Sequence, residues 1–326
     1  MAAAFFALAL WGCGSTDSGN TGGQTENQKP SESGMFGTAA AADFHPDSAY
    51  AFLVAQTAFG PRIPGSAAHK KCGDYIVSTL KRLGAEVREQ IASRPGVGNK
   101  PVPIRNIIGT FNPSADKRIM LSAHWDTRPR ADADEDSPDS PFDGANDGAS
   151  GVAVLLEFAR QLQQRPPQVG VDLFFWDSED GGESGDDASW CLGSQHWAEN
   201  PHVPGYKALF NVNFDMVGAQ NATFPQEANS LQFAPEVVQA LWRTAHELGF
   251  GAYFPFVPHS PIVDDHYFVA KKAGIPAVDV IHLNIEKGGF FPHWHTRRDT
   301  PDKIDKATLE AVGKTALTLV YRVRGT

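Results

Sequence analysis

Val171-Asp172-Leu173-Phe174-Phe175-Trp176 is a short, almost wholly apolar run that passes directly into Asp177-Ser178-Glu179-Asp180. An apolar run of this length without regular polar alternation suits a strand buried on both faces, as in a parallel sheet covered by helices. Residues 106–111, 118–123, 208–214 and 277–281 have the same character and are bounded by turn residues. Around them lie segments with helical patterning, over 47–59, 66–83, 150–164, 193–199, 235–248, 266–273 and 305–324. Strands alternating with helices predict an α/β fold, a three-layer α/β/α sandwich around a central, mostly parallel mixed sheet.

The first 42 residues differ in kind. Residues 2–11 are uninterruptedly apolar, too short to span a bilayer but of the length of a signal-peptide core. Gly12 and Cys13 follow, resembling a lipoprotein processing site in which the cysteine is lipidated and becomes the new N-terminus. Residues 15–33 are rich in Gly, Ser, Thr, Asn and Gln, as in a flexible tether. The expected organisation is a lipoprotein-type signal segment over 1–13, a linker over 14–42 and one catalytic domain over 43–326. The expected setting is the periplasm or cell envelope, with a lipid anchor at Cys13 and a monomeric chain. A formal charge of −10 argues against a nucleic-acid binder, which needs a basic face to neutralise phosphate. Cys72 and Cys191, the other two cysteines, are too few for a disulfide framework; they either pair or lie buried.

In open α/β sheets, sites form outside the carboxyl ends of the strands. Here those ends carry unusual chemistry. His124 and Asp126 follow the run over 118–123; Asp177, Glu179 and Asp180 follow 171–176; Asp215 follows 208–214. His293-Trp294-His295-Thr296 stands beyond 277–281, and Asp143-Gly144-Ala145-Asn146-Asp147-Gly148-Ala149-Ser150-Gly151 leads into a helix. Singly, each has an ordinary explanation: a polar pair at a strand end, a solvated acidic loop, a hydrogen-bonded structural histidine. Together they fit a metal site. Zinc takes carboxylate oxygen and imidazole nitrogen in tetrahedral array, and a catalytic site keeps the fourth position for water or substrate. Successive side chains leave a strand end in different directions, so one of Glu179 and Asp180 can bind metal while its neighbour moves protons.

His124-Trp125-Asp126, Asn146-Asp147-Gly148-Ala149-Ser150-Gly151, Ser178-Glu179-Asp180, Asp215 and His295 resemble, in order, the zinc aminopeptidase superfamily. The likeness runs from about residue 45 to the end. Further features resemble its glutaminyl-peptide cyclotransferase branch, in the bacterial form that shares the animal-type fold. They are 213–219 followed by Thr223-Phe224-Pro225, Asp264-Asp265-His266, Phe290-Phe291-Pro292, and Trp294 directly before His295-Thr296. The resemblance implies one zinc held by Asp147, Asp180 and His295, with Glu179 as general acid/base. It implies that Asp215 and Asp264 form a hydrogen-bonded acidic pair beside Glu179, and that Trp294, with Trp190 and Phe290, walls the substrate pocket. Asp180 stands where animal cyclases carry Glu, and Val263 where they carry Gln before the Asp-Asp-His triplet.

The implied substrate is a peptide or protein with an N-terminal glutaminyl residue, whose α-amine attacks its own side-chain carboxamide and expels ammonia. The chief rival is a two-zinc aminopeptidase, in which His124 and Asp215 join Asp147 around a second ion. A non-catalytic binding lipoprotein is the third reading, against which the complete set of ligand types and Glu179 weigh. The acidic loop over 131–140 is expected to border the site and attract a substrate amine.

Overall fold

The computed structural model describes residues 34–285 and 288–325. Helices α1 (Pro46–Thr57) and α2 (Ala67–Arg82) precede an antiparallel pair, β1 (Glu86–Pro95) and β2 (Pro101–Phe111). There follow β3 (Arg118–His124), α3 (Ala149–Gln164), β4 (Gly170–Trp176), α4 (Leu192–Glu199) and β5 (Asn211–Asp215). Next come β6 (Gln226–Glu227), α5 (Ala228–Phe233), α6 (Pro235–Glu247) and β7 (Pro258–His259). The chain closes with α7 (Asp265–Ala273), β8 (Ala277–Ile281) and α8 (Lys306–Arg322). Six strands form the central sheet in the order β1-β2-β4-β3-β5-β8, and β6 pairs with β7 apart from it. β4, β3, β5 and β8 are mutually parallel neighbours, whereas β2 is antiparallel to β1 and to β4. This is the mostly parallel mixed sheet that the apolar runs imply.

Successive side chains of a strand point to opposite faces, and here both faces are covered. Ile119, Leu121 and Ala123 of β3 enter one core with Val171, Leu173 and Phe175 of β4. Leu53 of α1, Ile76 and Leu80 of α2, Leu155 of α3 and Leu309 of α8 complete that core. Met120, Phe174 and Trp176, the residues between, enter a second core with Trp197 of α4 and Val269 of α7. A slip of one residue would exchange the two cores, so the register is strongly specified.

Several features differ from the expectations, among them the short elements β6, α5 and β7, which were not foreseen. β1 was not foreseen because its residues Glu86, Arg88, Glu89 and Arg94 give it a half-exposed, charged sequence; that is how an edge strand is protected from pairing with other chains. Residues 35–42, assigned to the linker, belong to the compact unit that begins at Met35. Phe36 bridges to Val323, Gly37 N–H donates to the Arg322 carbonyl, and Ala42 is buried. The apolar stretch, Cys13 and the tether over 15–33 lie outside the described residues. No helix among the described residues is long and apolar enough to cross a membrane. Cys72 and Cys191 are both buried free thiols, so they do not pair.

Two buried histidines give the fold a pH dependence. His202 accepts a hydrogen bond from Trp197 Nε1 and packs against Phe174 and Tyr206; His282 lies between Phe224 and Phe291. Burial lowers each to about 4, against about 6.5 in an unfolded chain. Between these values the unfolded chain binds the protons and the folded chain does not, so stability falls as the pH drops from about 6.5 through 4. Urea midpoints measured across that range are expected to fall less steeply for His282→Phe than for the native chain. Parallel curves would show that this histidine contributes nothing to the acid limb.

Candidate active site

β4, β3, β5 and β8 are parallel, so their carboxyl ends meet along one edge of the sheet and the residues beyond them converge there. His124 closes β3, Glu179 and Asp180 stand just past β4, Asp215 closes β5, and Asp147 directly precedes Gly148, the N-cap of α3. Asp264 is the N-cap of α7, and its side chain accepts the Asp265 backbone N–H. His295 arrives on the loop after β8. Among the described residues seven non-glycine residues have positive φ, and three of them are asparagines, which tolerate it. The other four, Ser178 (55°), Cys191 (54°), Met216 (52°) and His295 (53°), all lie at this edge. Such conformations cost ~1–3 kcal/mol each and persist where the surrounding structure enforces them, characteristically at functional sites.

Asp147, Asp180 and His295 each offer a ligand atom within 4.8 Å of the others. His295 Nε2 stands 2.9 Å from Asp180 Oδ1 and 3.7 Å from Asp147 Oδ2. A tetrahedral zinc with bonds of about 2.0–2.1 Å sets its ligand atoms roughly 3.3 Å apart, between those two distances. Asp147 Oδ2 is buried and has no hydrogen-bond partner among the described residues. Burial pulls the His295 pKa down, but the Asp180 charge and hydrogen bonds to Asp132 and Asp180 outweigh it and raise the group to about 9. The site thus attracts a cation, and a proton and a metal ion are alternatives at Nε2. Two carboxylates and an imidazole, with one oxygen left unpaired, fit zinc. A second trio shares Asp147: His124 Nε2 lies 3.1 Å from Asp147 Oδ1 and 3.2 Å from Asp215 Oδ1. The ligands of a one-ion and of a two-ion centre are therefore both assembled.

Further carboxylates hold the backbone of this constellation. Asp126 accepts the N–H groups of Glu179 (3.1 Å) and Asp180 (3.3 Å), and Asp299 accepts those of Asn146 (2.8 Å) and Asp147 (3.0 Å). A Cβ on Gly148 would lie 2.5 Å from the His124 ring, and one on Gly151 2.2 Å from the Phe214 carbonyl oxygen. These two glycines let α3 start against the strand ends.

Glu179 is not part of either trio. Its Oε1 accepts from the Cys191 thiol at 3.4 Å, and the two share a cluster with Asp264. Burial pushes Glu179 well above the usual carboxylate range; His124 opposes the shift, and the charges of Asp180, Asp264 and Asp265 add to it. Asp215 is raised to about 7, chiefly by burial and against its hydrogen bond to His124. Asp215 and Asp264, expected as a pair, both line the site. The charge of Asp264 adds to the rise of Asp215. Asn213 Nδ2 donates to Asp264 Oδ2 (2.8 Å) and to Asp279 Oδ1 (3.3 Å) and holds the two carboxyls together. Burial, with the nearby charges of Asp264 and Asp215, raises Asp279 well above the usual carboxylate range.

Peptidase family M28 matches residues 106–320. The glutaminyl cyclase of Porphyromonas gingivalis superposes with a TM-score of 0.83 at 48% identity, over 85% of this chain and 98% of that one. A Zn-dependent exopeptidase from Parabacteroides distasonis gives 0.84 at 47% identity, over 86% and 99%. The glutaminyl-peptide cyclotransferase of Bos taurus is 26% identical over 293 residues, 78% of this chain and 76% of its own length. The chain belongs to peptidase family M28, on its glutaminyl cyclase branch.

In this M28 chain the expected site residues share one cavity of about 410 Å³, lined by Asp147, Glu179, Asp180, Asp215, Asp264 and His295 with Trp190, Phe290 and Trp294. Trp294 stacks on His295 with ring centroids 3.6 Å apart and planes 20° apart, and Phe290 packs on Trp294 at 4.8 Å. Sequence reasoning missed several contributors. Asp279 had a visible signal, a carboxylate inside the apolar run over 277–281. Met216, Ile262 and Ile281 also line the cavity, and nothing about them as apolar residues announced it; Val263, singled out in the sequence as standing where animal cyclases carry Gln, lines it too. Two carboxylates of the acidic loop over 131–140 are engaged within the protein. Asp132 binds His295 Nδ1 at 3.1 Å, and Asp134 is buried, accepting the N–H groups of Asp136 (3.2 Å), Ser137 (3.1 Å) and Arg297 (3.0 Å). These two carboxylates clasp the His295 loop.

Proposed function

We propose that this chain is a single-zinc glutaminyl-peptide cyclotransferase, turning N-terminal glutaminyl residues of peptides and proteins into pyroglutamate with release of ammonia. The observation that carries this reading is the Trp294–His295 stack, which lays an indole against the imidazole of a candidate ligand. Trp294, Phe290 and Trp190 leave a cavity of about 410 Å³. That space suits a glutaminyl side chain folded back on its own α-amine, with aromatic faces against its aliphatic stem. The identity to glutaminyl cyclases supports the same reading.

Asp147, Asp180 and His295 would hold the zinc, which supplies Lewis-acid polarisation of the side-chain carboxamide. Nucleophile and electrophile belong to one molecule, so the aromatic walls contribute by holding the folded conformer and excluding water. Glu179 accepts the proton that the α-amine loses as its nitrogen bonds to the side-chain carbonyl carbon. The same carboxyl returns that proton to the departing nitrogen as the carbon–nitrogen bond breaks and ammonia leaves. A raised pKa brings Glu179 nearer to neutral pH, where it can serve in both directions. Asp264, held by Asn213, lies beside Glu179 and adds to the rise of its pKa.

One observation favours a second reading. The trio His124, Asp147 and Asp215 has the spacing of another ion site, as a two-zinc aminopeptidase requires. The zinc content of the purified protein separates the two. The cyclase reading expects close to one zinc per chain after dialysis, and a value close to two favours the hydrolase.

A further inference from the structure

Arg128 stands at the junction of three parts of the site. Its Nε and Nη2 donate to the two oxygens of Asp132 at 2.9 and 2.6 Å. Asp132 Oδ1 in turn lies 3.1 Å from His295 Nδ1. A carboxylate on the far nitrogen fixes the ring orientation and tautomer that present Nε2 to a metal. The same arginine reaches the other ligand of that edge: its backbone N–H donates to Asp180 Oδ2 at 3.0 Å, and Nη1 donates to the Asp180 carbonyl at 2.9 Å. Nη1 also donates to the Gly182 carbonyl at 3.1 Å. Finally, the guanidinium carbon lies 4.9 Å from the Trp190 ring centroid, a cation–π contact with a wall of the cavity. Ala133 N–H, beside Asp132, donates to the His295 carbonyl at 3.1 Å and closes the clasp.

We propose that Arg128, acting through Asp132, is a positioning residue that sets His295 and Asp180 for zinc and braces Trp190 against the substrate, so that metal affinity and substrate affinity share one anchor. The planar fork of an arginine is what the arrangement uses. It grips both oxygens of Asp132 while the remaining nitrogen binds two carbonyls and the flat face meets an indole. A lysine ammonium offers neither the fork nor the flat face. Zinc affinity is read without substrate, and only the KM arm rests on the cyclase reading, so the two can fail separately.

The experiment compares the native chain with Arg128→Lys, Asp132→Asn and the double variant. Zinc dissociation constants come from chelator competition, and KM and kcat come from a Gln-initiated peptide at saturating zinc. Both conservative variants are expected to weaken zinc binding about 10- to 100-fold. The double variant is expected to weaken it no further than the worse single one, because both substitutions break the same contact. At saturating zinc, Arg128→Lys is expected to raise KM by more than Asp132→Asn does, since only the arginine touches Trp190. Circular dichroism checks that each variant is folded. Native zinc affinity in a folded Arg128→Lys protein overturns the proposal, as do additive losses in the double variant or equal KM values in the two single ones.

Discussion

Glu179→Gln is expected to lower kcat/KM by roughly 10²- to 10⁴-fold, the span of positioned acid–base catalysis, while the protein still binds zinc. The amide has the size and shape of the carboxyl but cannot take a proton from the α-amine. Glu179 belongs to neither metal trio, so its loss should leave the ligand atoms in place. Its raised pKa comes first from burial, and a neutral amide is easily accommodated there, so the fold should tolerate the change. Steady-state kinetics and zinc content measured on the same preparation test this. Activity within tenfold of native removes Glu179 from proton transfer, and loss of zinc moves it among the ligands.

Asp147→Asn is expected to abolish both zinc retention and activity. Asp147 is the residue common to both trios, and its Oδ2 has no hydrogen-bond partner among the described residues. Replacing a carboxylate oxygen by an amide removes the charge that His124 and His295 face at 3.1 and 3.7 Å. Because zinc binds the folded chain, its loss also appears as stability. A ligand a thousandfold above its dissociation constant stabilises by about 4 kcal/mol. Chelation is therefore expected to lower the melting temperature of the native chain and to leave that of Asp147→Asn unmoved. A variant that keeps its zinc, or that melts lower on chelation as the native chain does, would remove Asp147 from the metal site.

The strands and the candidate ligands were legible because both follow simple rules. The apolar runs over 118–123 and 171–176 have no other stable use than strands covered on both faces. Polar residues that follow such runs must gather at the carboxyl edge of a parallel sheet. What the residues could not show is which carboxylate faces which. Asp215 and Asp264 look like an obvious pair, yet Asn213 also ties Asp264 to Asp279, which the β5–β8 register sets opposite Asn213. Asp132 read as one charge in an acidic loop, and only the path of that loop across the His295 segment turns it into a ligand's support. Cys191 carried no signal at all; its place beneath Glu179 depends on a left-handed residue ahead of α4.

The same ligand types would serve a hydrolase, so the products distinguish the two reactions. The direct measurement is product analysis of a Gln-initiated dipeptide incubated with the zinc-loaded protein, following ammonia by assay and the peptide by mass spectrometry. The account predicts one ammonia released per dipeptide consumed and an intact, lactam-capped dipeptide as the product. Free glutamine and the free second amino acid, with no ammonia, would contradict it.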